Sequence, residues 1–92
     1  MRGDAKVRSR LVEIEWTETA LGDMADIDNG IARRVKRSVE RFVETGSGDI
    51  KRLQGVDPPE FRLRVGGYRI LFHLDDVIMR VLRVRHRREA YR

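Results

Sequence analysis

The stretch from Phe61 to Leu74 leaves the chain little choice of local structure. Phe61, Leu63 and Val65 alternate with Arg62 and Arg64, Gly66-Gly67 follows, and Tyr68, Ile70, Phe72 and Leu74 then alternate with Arg69 and His73. Period-two alternation on both sides of a glycine pair predicts a β-hairpin with a two-residue turn. Such a turn sets Val65 opposite Tyr68 and Arg64 opposite Arg69. Residues directly opposite share one side of a sheet. One side is then a continuous apolar face, from Phe61 to Leu74, that needs a covering layer. The other carries Arg62, Arg64, Arg69 and His73.

The covering layer is found upstream. Leu11 to Trp16 alternates, with Val12, Ile14 and Trp16 against Glu13 and Glu15, and reads as a half-buried strand. Thr17 offers an N-cap for a helix from Glu18 to Ile27, with Leu21, Met24 and Ile27 on one stripe. Asp28 and Asn29 offer a second cap. The helix from Gly30 to Thr45 follows, and its apolar face is Ile31, Val35, Val39, Phe42 and Val43. Gly46 closes it and Ser47-Gly48-Asp49 reads as loop. Arg33, Arg34, Lys36, Arg37 and Arg41 lie largely off the apolar face; they read first as a solvated surface, with contact to nucleic acid left open. After the hairpin, Asp75-Asp76 reads as a turn and Val77 to Val84 as a last strand. The expected class is α+β, two helices on one face of an antiparallel sheet in the order β-α-α-β-β-β.

With 92 residues, the expectation is one domain, 1–92, in which residues 1–10, polar and basic, are loosely ordered. The absence of cysteine excludes disulfides and cysteine-based zinc sites. No apolar run approaches the roughly 20 residues that span a bilayer, and Met1 to Arg10 lacks the apolar run of a signal peptide. A cytoplasmic protein is expected. No spaced cluster of histidines and carboxylates appears, so neither metal nor cofactor is expected.

Charge points to an anionic partner. Lys and Arg total 20 against 15 Asp and Glu, a formal +5, and arginine dominates. Its planar fork of donors matches phosphate, where lysine is a point charge. The tail concentrates the signal: Arg83-Val84-Arg85-His86-Arg87-Arg88-Glu89-Ala90-Tyr91-Arg92. A strict two-residue turn at Asp75-Asp76 would bury Arg83, Arg85 and Arg87 against the helices. A bulge shifts parity by one residue and carries them to the basic side instead. That side then collects Arg62, Arg64, Arg69, Arg87 and Arg83, with His86 and Tyr91 close by. Tyrosine matters there because unpaired RNA bases stack on aromatic rings.

The run Phe61-Arg62-Leu63-Arg64-Val65-Gly66-Gly67-Tyr68-Arg69-Ile70-Leu71-Phe72 resembles the central hairpin of RelE/ParE-superfamily toxins. Val84-Arg85-His86-Arg87-Arg88-Glu89-Ala90-Tyr91 resembles their last strand and tail, and Lys51-Arg52-Leu53-Gln54-Gly55 the stretch before the hairpin. The resemblance extends from about Leu11 to the end. It implies a fold like that of small microbial ribonucleases and the toxin of a type II toxin–antitoxin system, inhibited by an acidic antitoxin in a hetero-oligomer. RelE-type members cleave messenger RNA on the ribosome, and ParE-type members poison DNA gyrase. The intact His86, Arg87 and Tyr91 group points to the RelE type.

In that reading Arg69, Arg87, Tyr91 and His86 are the catalytic candidates, and Arg62, Arg64, Arg83 and Lys51 bind RNA. The expected reaction is attack of a ribose 2′-hydroxyl on the adjacent phosphate with release of a 5′-hydroxyl. Arg69 and Arg87 suit the stabilisation of negative charge. Neither can act as base, since arginine stays protonated. His86, Glu60, Tyr91 and Lys51 are the candidates for that role. His86 is favoured because its ordinary pKa lies near neutrality.

Overall fold

In a computed structural model that describes residues 13–90, the order is β1 (Glu13–Trp16), α1 (Glu18–Ala25), α2 (Asn29–Thr45), β2 (Asp49–Arg52), β3 (Phe61–Val65), β4 (Tyr68–Asp75), β5 (Ile78–His86) and a short α3 (Arg87–Ala90). The 1–10 segment, Leu11, Val12 and Tyr91 lie outside the described residues. The strands form one sheet in the order β1-β5-β4-β3-β2. The hairpin has the expected register: Val65 faces Tyr68 and Arg64 faces Arg69. Gly66 takes φ 60°, the left-handed conformation a primed turn needs.

Thr17 caps α1 by accepting the Ala20 N–H at 3.1 Å. Asp28 caps α2 by accepting the Gly30 N–H at 2.9 Å. Gly46, at φ 76°, ends α2 in the left-handed conformation. The apolar face of α2 seats Val35, Val39 and Phe42 in the core against Leu63, Val65, Ile70 and Phe72. Phe72 lies between two rings, with Phe42 and Phe61 centroids each 5.6 Å away. On α1 the buried residue is Ala20, with Met24 and Ile27 packed beside the core. Leu21, expected on that stripe, is 55% exposed.

Three features depart from the expected meander. The sheet is antiparallel except that β1 runs parallel to β5, from Glu13 beside Ile78 to Trp16 beside Val81. The helix pair carries the chain from β1 at one edge of the sheet to β2 at the other, a crossover that permits parallel pairing. The segment read as loop runs into an extra strand, β2, whose Ile50 lies opposite Leu63. It is short and charged, as edge strands are. Finally, the turn after β4 falls one residue later than expected, because Asp75 still pairs with Ile78 and Asp76 takes φ 46°.

The parity shift expected of β5 is present. Phe72 pairs with Val81 but Leu71 pairs with Arg83, so Leu82 is the extra, bulged residue. Val84 therefore turns to the core, 3% exposed, and Arg83 and Arg85 turn away from it. The bulge is held from outside the sheet. Thr17 donates its N–H to the Val81 carbonyl at 3.1 Å and its hydroxyl to the Leu82 carbonyl at 3.1 Å. Asp23 Oδ2 accepts both the Val84 N–H and Arg83 Nε, each at 2.9 Å.

Candidate functional site

Register alone assembles a ladder of charge on the face away from the helices. Asp49, Arg64, Arg69 and Arg85 stand in one row across β2, β3, β4 and β5. Like charges directly opposite destabilise a sheet. Arg69 has one on each side. Relieving this repulsion has a measurable consequence: Arg69→Gln, which removes the charge flanked by arginine on both sides, is expected to stabilise the fold by roughly 0.2–1 kcal/mol. It should appear as a higher urea midpoint with an unchanged slope.

Where the ladder meets the hairpin tip lies a cavity of about 100 Å³ lined by Arg64, Gly66, Gly67, Tyr68, Arg69 and Arg87. Among the described residues three guanidiniums and no carboxylate line it. Arg87, first residue of α3, is seated there by its N–H, which donates to the Gly67 carbonyl at 2.7 Å. The glycine pair serves two purposes: it makes the turn, and it leaves room. A Cβ on Gly67 would sit 3.2 Å from His86 Nε2, and one on Gly66 would sit 3.5 Å from the Arg34 guanidinium. Chemically the cavity can hold a phosphate by forked, charge-assisted hydrogen bonds. Its arginines cannot accept a proton.

Of the expected site residues, Arg64, Arg69 and Arg87 come together at this cavity. Arg62, Lys51 and Arg83 stand in the next row with Leu71. The Arg62 side chain is 12% exposed and lies 3.5 Å from Asp49 Oδ1. Arg83 is drawn to the sheet edge by Asp23. His86 is placed differently from expectation. It lies opposite Tyr68, on the helix side of the sheet, with the two rings edge to face at a centroid distance of 5.0 Å. Its Nδ1 accepts the Arg88 N–H at 3.2 Å, so the imidazole ties down the start of α3 and does not line the cavity. Glu60 lies 3.8 Å from His73 Nε2, again outside the cavity lining. Arg85, expected on the basic side with Arg83 and Arg87 but not among the expected site residues, is set opposite Arg69 by the bulge. Arg34, expected only on the basic face of the helix, is brought by α2 to the hairpin tip.

Among the described residues no group of three or more His, Asp or Glu side chains could hold a metal ion. No described helix is long and apolar enough to cross a membrane.

Comparisons with known proteins agree with this fold. The family model described as ParE toxin of type II toxin–antitoxin system, parDE, matches residues 14–91. Among solved structures, the RelB–RelE antitoxin–toxin complex from Methanococcus jannaschii is similar at 27% identity, with 84% of this chain and 94% of that one covered and a TM-score of 0.71. The toxin–antitoxin complex RelBE2 from Mycobacterium tuberculosis is similar at 26% identity, covering 80% of this chain and 88% of that one, with a TM-score of 0.61. The archaeal RelE–RelB complex from Pyrococcus horikoshii shares the fold at 16% identity, covering 82% and 93%, with a TM-score of 0.68. Among curated protein sequences none matches the chain.

Proposed function

The chain belongs to the family of ParE toxins of type II toxin–antitoxin systems, and from that premise we propose that it is an endoribonuclease that cleaves messenger RNA on the ribosome. The observation that carries this reading is the cavity at the hairpin tip, where three arginines and, among the described residues, no acid surround a space of about 100 Å³. A tetrahedral phosphate that gains negative charge during attack is stabilised by donors already aimed at it. Arg69 and Arg87 grip the scissile phosphate, and Arg64 holds the rim.

The 2′-oxygen bonds to phosphorus as its proton passes to water, the P–O5′ bond breaks to leave a 2′,3′-cyclic phosphate, and the 5′-oxygen takes a proton from water and leaves as a hydroxyl. Tyr91, outside the described residues, stacks on a base beside the cut. His86 is a positioning residue that keeps Arg87 in place. Among the described cavity-lining side chains the arginines cannot take the proton and only the Tyr68 hydroxyl could, so alignment by the ribosome supplies much of the acceleration. The surface that binds RNA also attracts an acidic antitoxin, and the resting form in the cytoplasm is a toxin–antitoxin hetero-oligomer. The M. jannaschii and M. tuberculosis structures are such complexes.

A second reading, inhibition of DNA gyrase without chemistry, is favoured by the ParE name of the matching family. One experiment separates them. The chain is added to a translating extract, messenger cuts are mapped by primer extension, and gyrase supercoiling is assayed in parallel. Codon-internal cuts that require ribosomes and vanish in Tyr91→Ala support cleavage. Intact messenger with blocked supercoiling would overturn it.

A further inference from the structure

The basic face of α2 has no part in the reaction above, yet it is joined to the cavity. Arg33, Arg34, Arg37 and Arg41 line a groove of about 740 Å³ on the outer side of the helix, together with Ser38, Glu40 and Glu44. Ser38 and Arg41 also line a smaller hollow of about 200 Å³, whose far wall holds Arg64 beside Asp49. Arg64 in turn lines the hairpin cavity. Shared side chains thus link three hollows in series, from Arg87 at the hairpin tip, past the β2–β3 edge, and up α2.

We propose that this chain of hollows is a track for single-stranded RNA, which holds the nucleotides flanking the reacting phosphate along Arg64, Arg41, Arg37 and Arg33. The proposal rests on the reading of the chain as an RNA-cutting toxin and extends it to the substrate beyond the cut. Four arginines against two glutamates leave the α2 groove positive. Among the described residues none of these four guanidiniums is held in an ion pair. They are available to neutralise phosphates and release counterions. The distance from Arg33 to Arg41 is about 12 Å along the helix, longer than the hairpin cavity can serve.

An acidic protein is the less fitting occupant. Protein interfaces are anchored by buried apolar and aromatic residues. Among the described residues the exposed large apolar ones, Leu21, Val56 and Leu74, all lie off the track.

The test is binding of a twelve-nucleotide RNA with 2′-O-methyl sugars, which cannot be cut, compared with a four-nucleotide version and a twelve-residue polyglutamate. The unaltered chain should prefer the longer RNA clearly. In the triple variant Arg33→Gln, Arg37→Gln, Arg41→Gln that preference should shrink to within twofold. The slope of log affinity against log salt should fall by about 2, the value for three single-strand phosphate contacts. Between 50 and 200 mM salt the unaltered chain should then lose about 20-fold more affinity than the variant. Equal slopes and equal length preference in the two proteins would overturn the track. So would polyglutamate binding that competes with the RNA and is lost through the same substitutions, which would reassign the groove to a protein. If the chain binds the long RNA through the track but cuts no messenger in the extract, the cleavage reading fails and the track stands. If it cuts messenger and the variant binds RNA as the unaltered chain does, the reverse holds.

Discussion

Arg69→Gln is expected to slow ribosome-dependent messenger cleavage by about 10²–10³-fold, the cost of removing one preorganised donor to a transition-state oxyanion. Arg69 is the central rung of the ladder, with Arg64 on one side and Arg85 on the other. That position allows it to reach a phosphate from the middle of the sheet while Arg87 closes from α3. The loss should fall mainly on kcat, because the charge it meets develops during attack. Arg69→Lys should recover only part of the rate, since a point charge lacks the fork that spans two oxygens. Folding should survive, because the glutamine keeps the strand and removes a charge that two neighbours oppose. Near-normal cleavage by a folded Arg69→Gln protein would remove this residue from the site. The assay is the rate of appearance of the mapped cuts, with the urea midpoint of each variant measured beside it.

What could be read from the chain before folding divides along a physical line. The hairpin was legible because its information is local: alternation, two glycines, and a register that follows from turn length. Helix caps were legible for the same reason, as Thr17, Asp28 and Gly46 show. The bulge was legible as a necessity, since three arginines of one parity cannot face the helices. Its place at Leu82 was not, because the groups that hold it, Thr17 and Asp23, lie about sixty positions away. β2 has a single inward apolar residue, Ile50, and an edge strand needs no more. The position of His86 was in principle countable. The shift that sets Arg85 opposite Arg69 also sets His86 opposite Tyr68, on the far side of the sheet from the ladder. Arg34 had no such signal, since its approach to Gly66 depends on how α2 packs over the hairpin.

The parity of β5 therefore decides whether the ladder exists, and Asp23 is the residue on which that parity can be tested. Burial alone would raise the pKa of its carboxyl. The hydrogen bonds from Arg83 and Val84, and the charges of Arg83 and Arg85, outweigh burial and hold it below the ordinary value of 3.8. A carboxyl with a depressed folded pKa contributes stability above its unfolded value, near 3.8, and that contribution is lost as pH falls through the folded value. Asp23→Asn should accordingly show a shallower loss of stability below about pH 4 than the unaltered chain. Asp23→Ala should cost about 1–3 kcal/mol at neutral pH, chiefly because the Val84 N–H is left without its acceptor. The Arg83 side of the pair is 40% exposed, so water screens it and its share is small. Native-state hydrogen exchange localises the effect: the Val84 amide should exchange roughly tenfold faster for each 1.4 kcal/mol lost, while Val39 in α2 follows only global unfolding. Released from Asp23, the strand can lose its bulge and turn Arg85 off the ladder, so messenger cleavage should fall with Val84 protection. Unchanged protection at Val84 in Asp23→Ala would show that Thr17 alone holds the bulge.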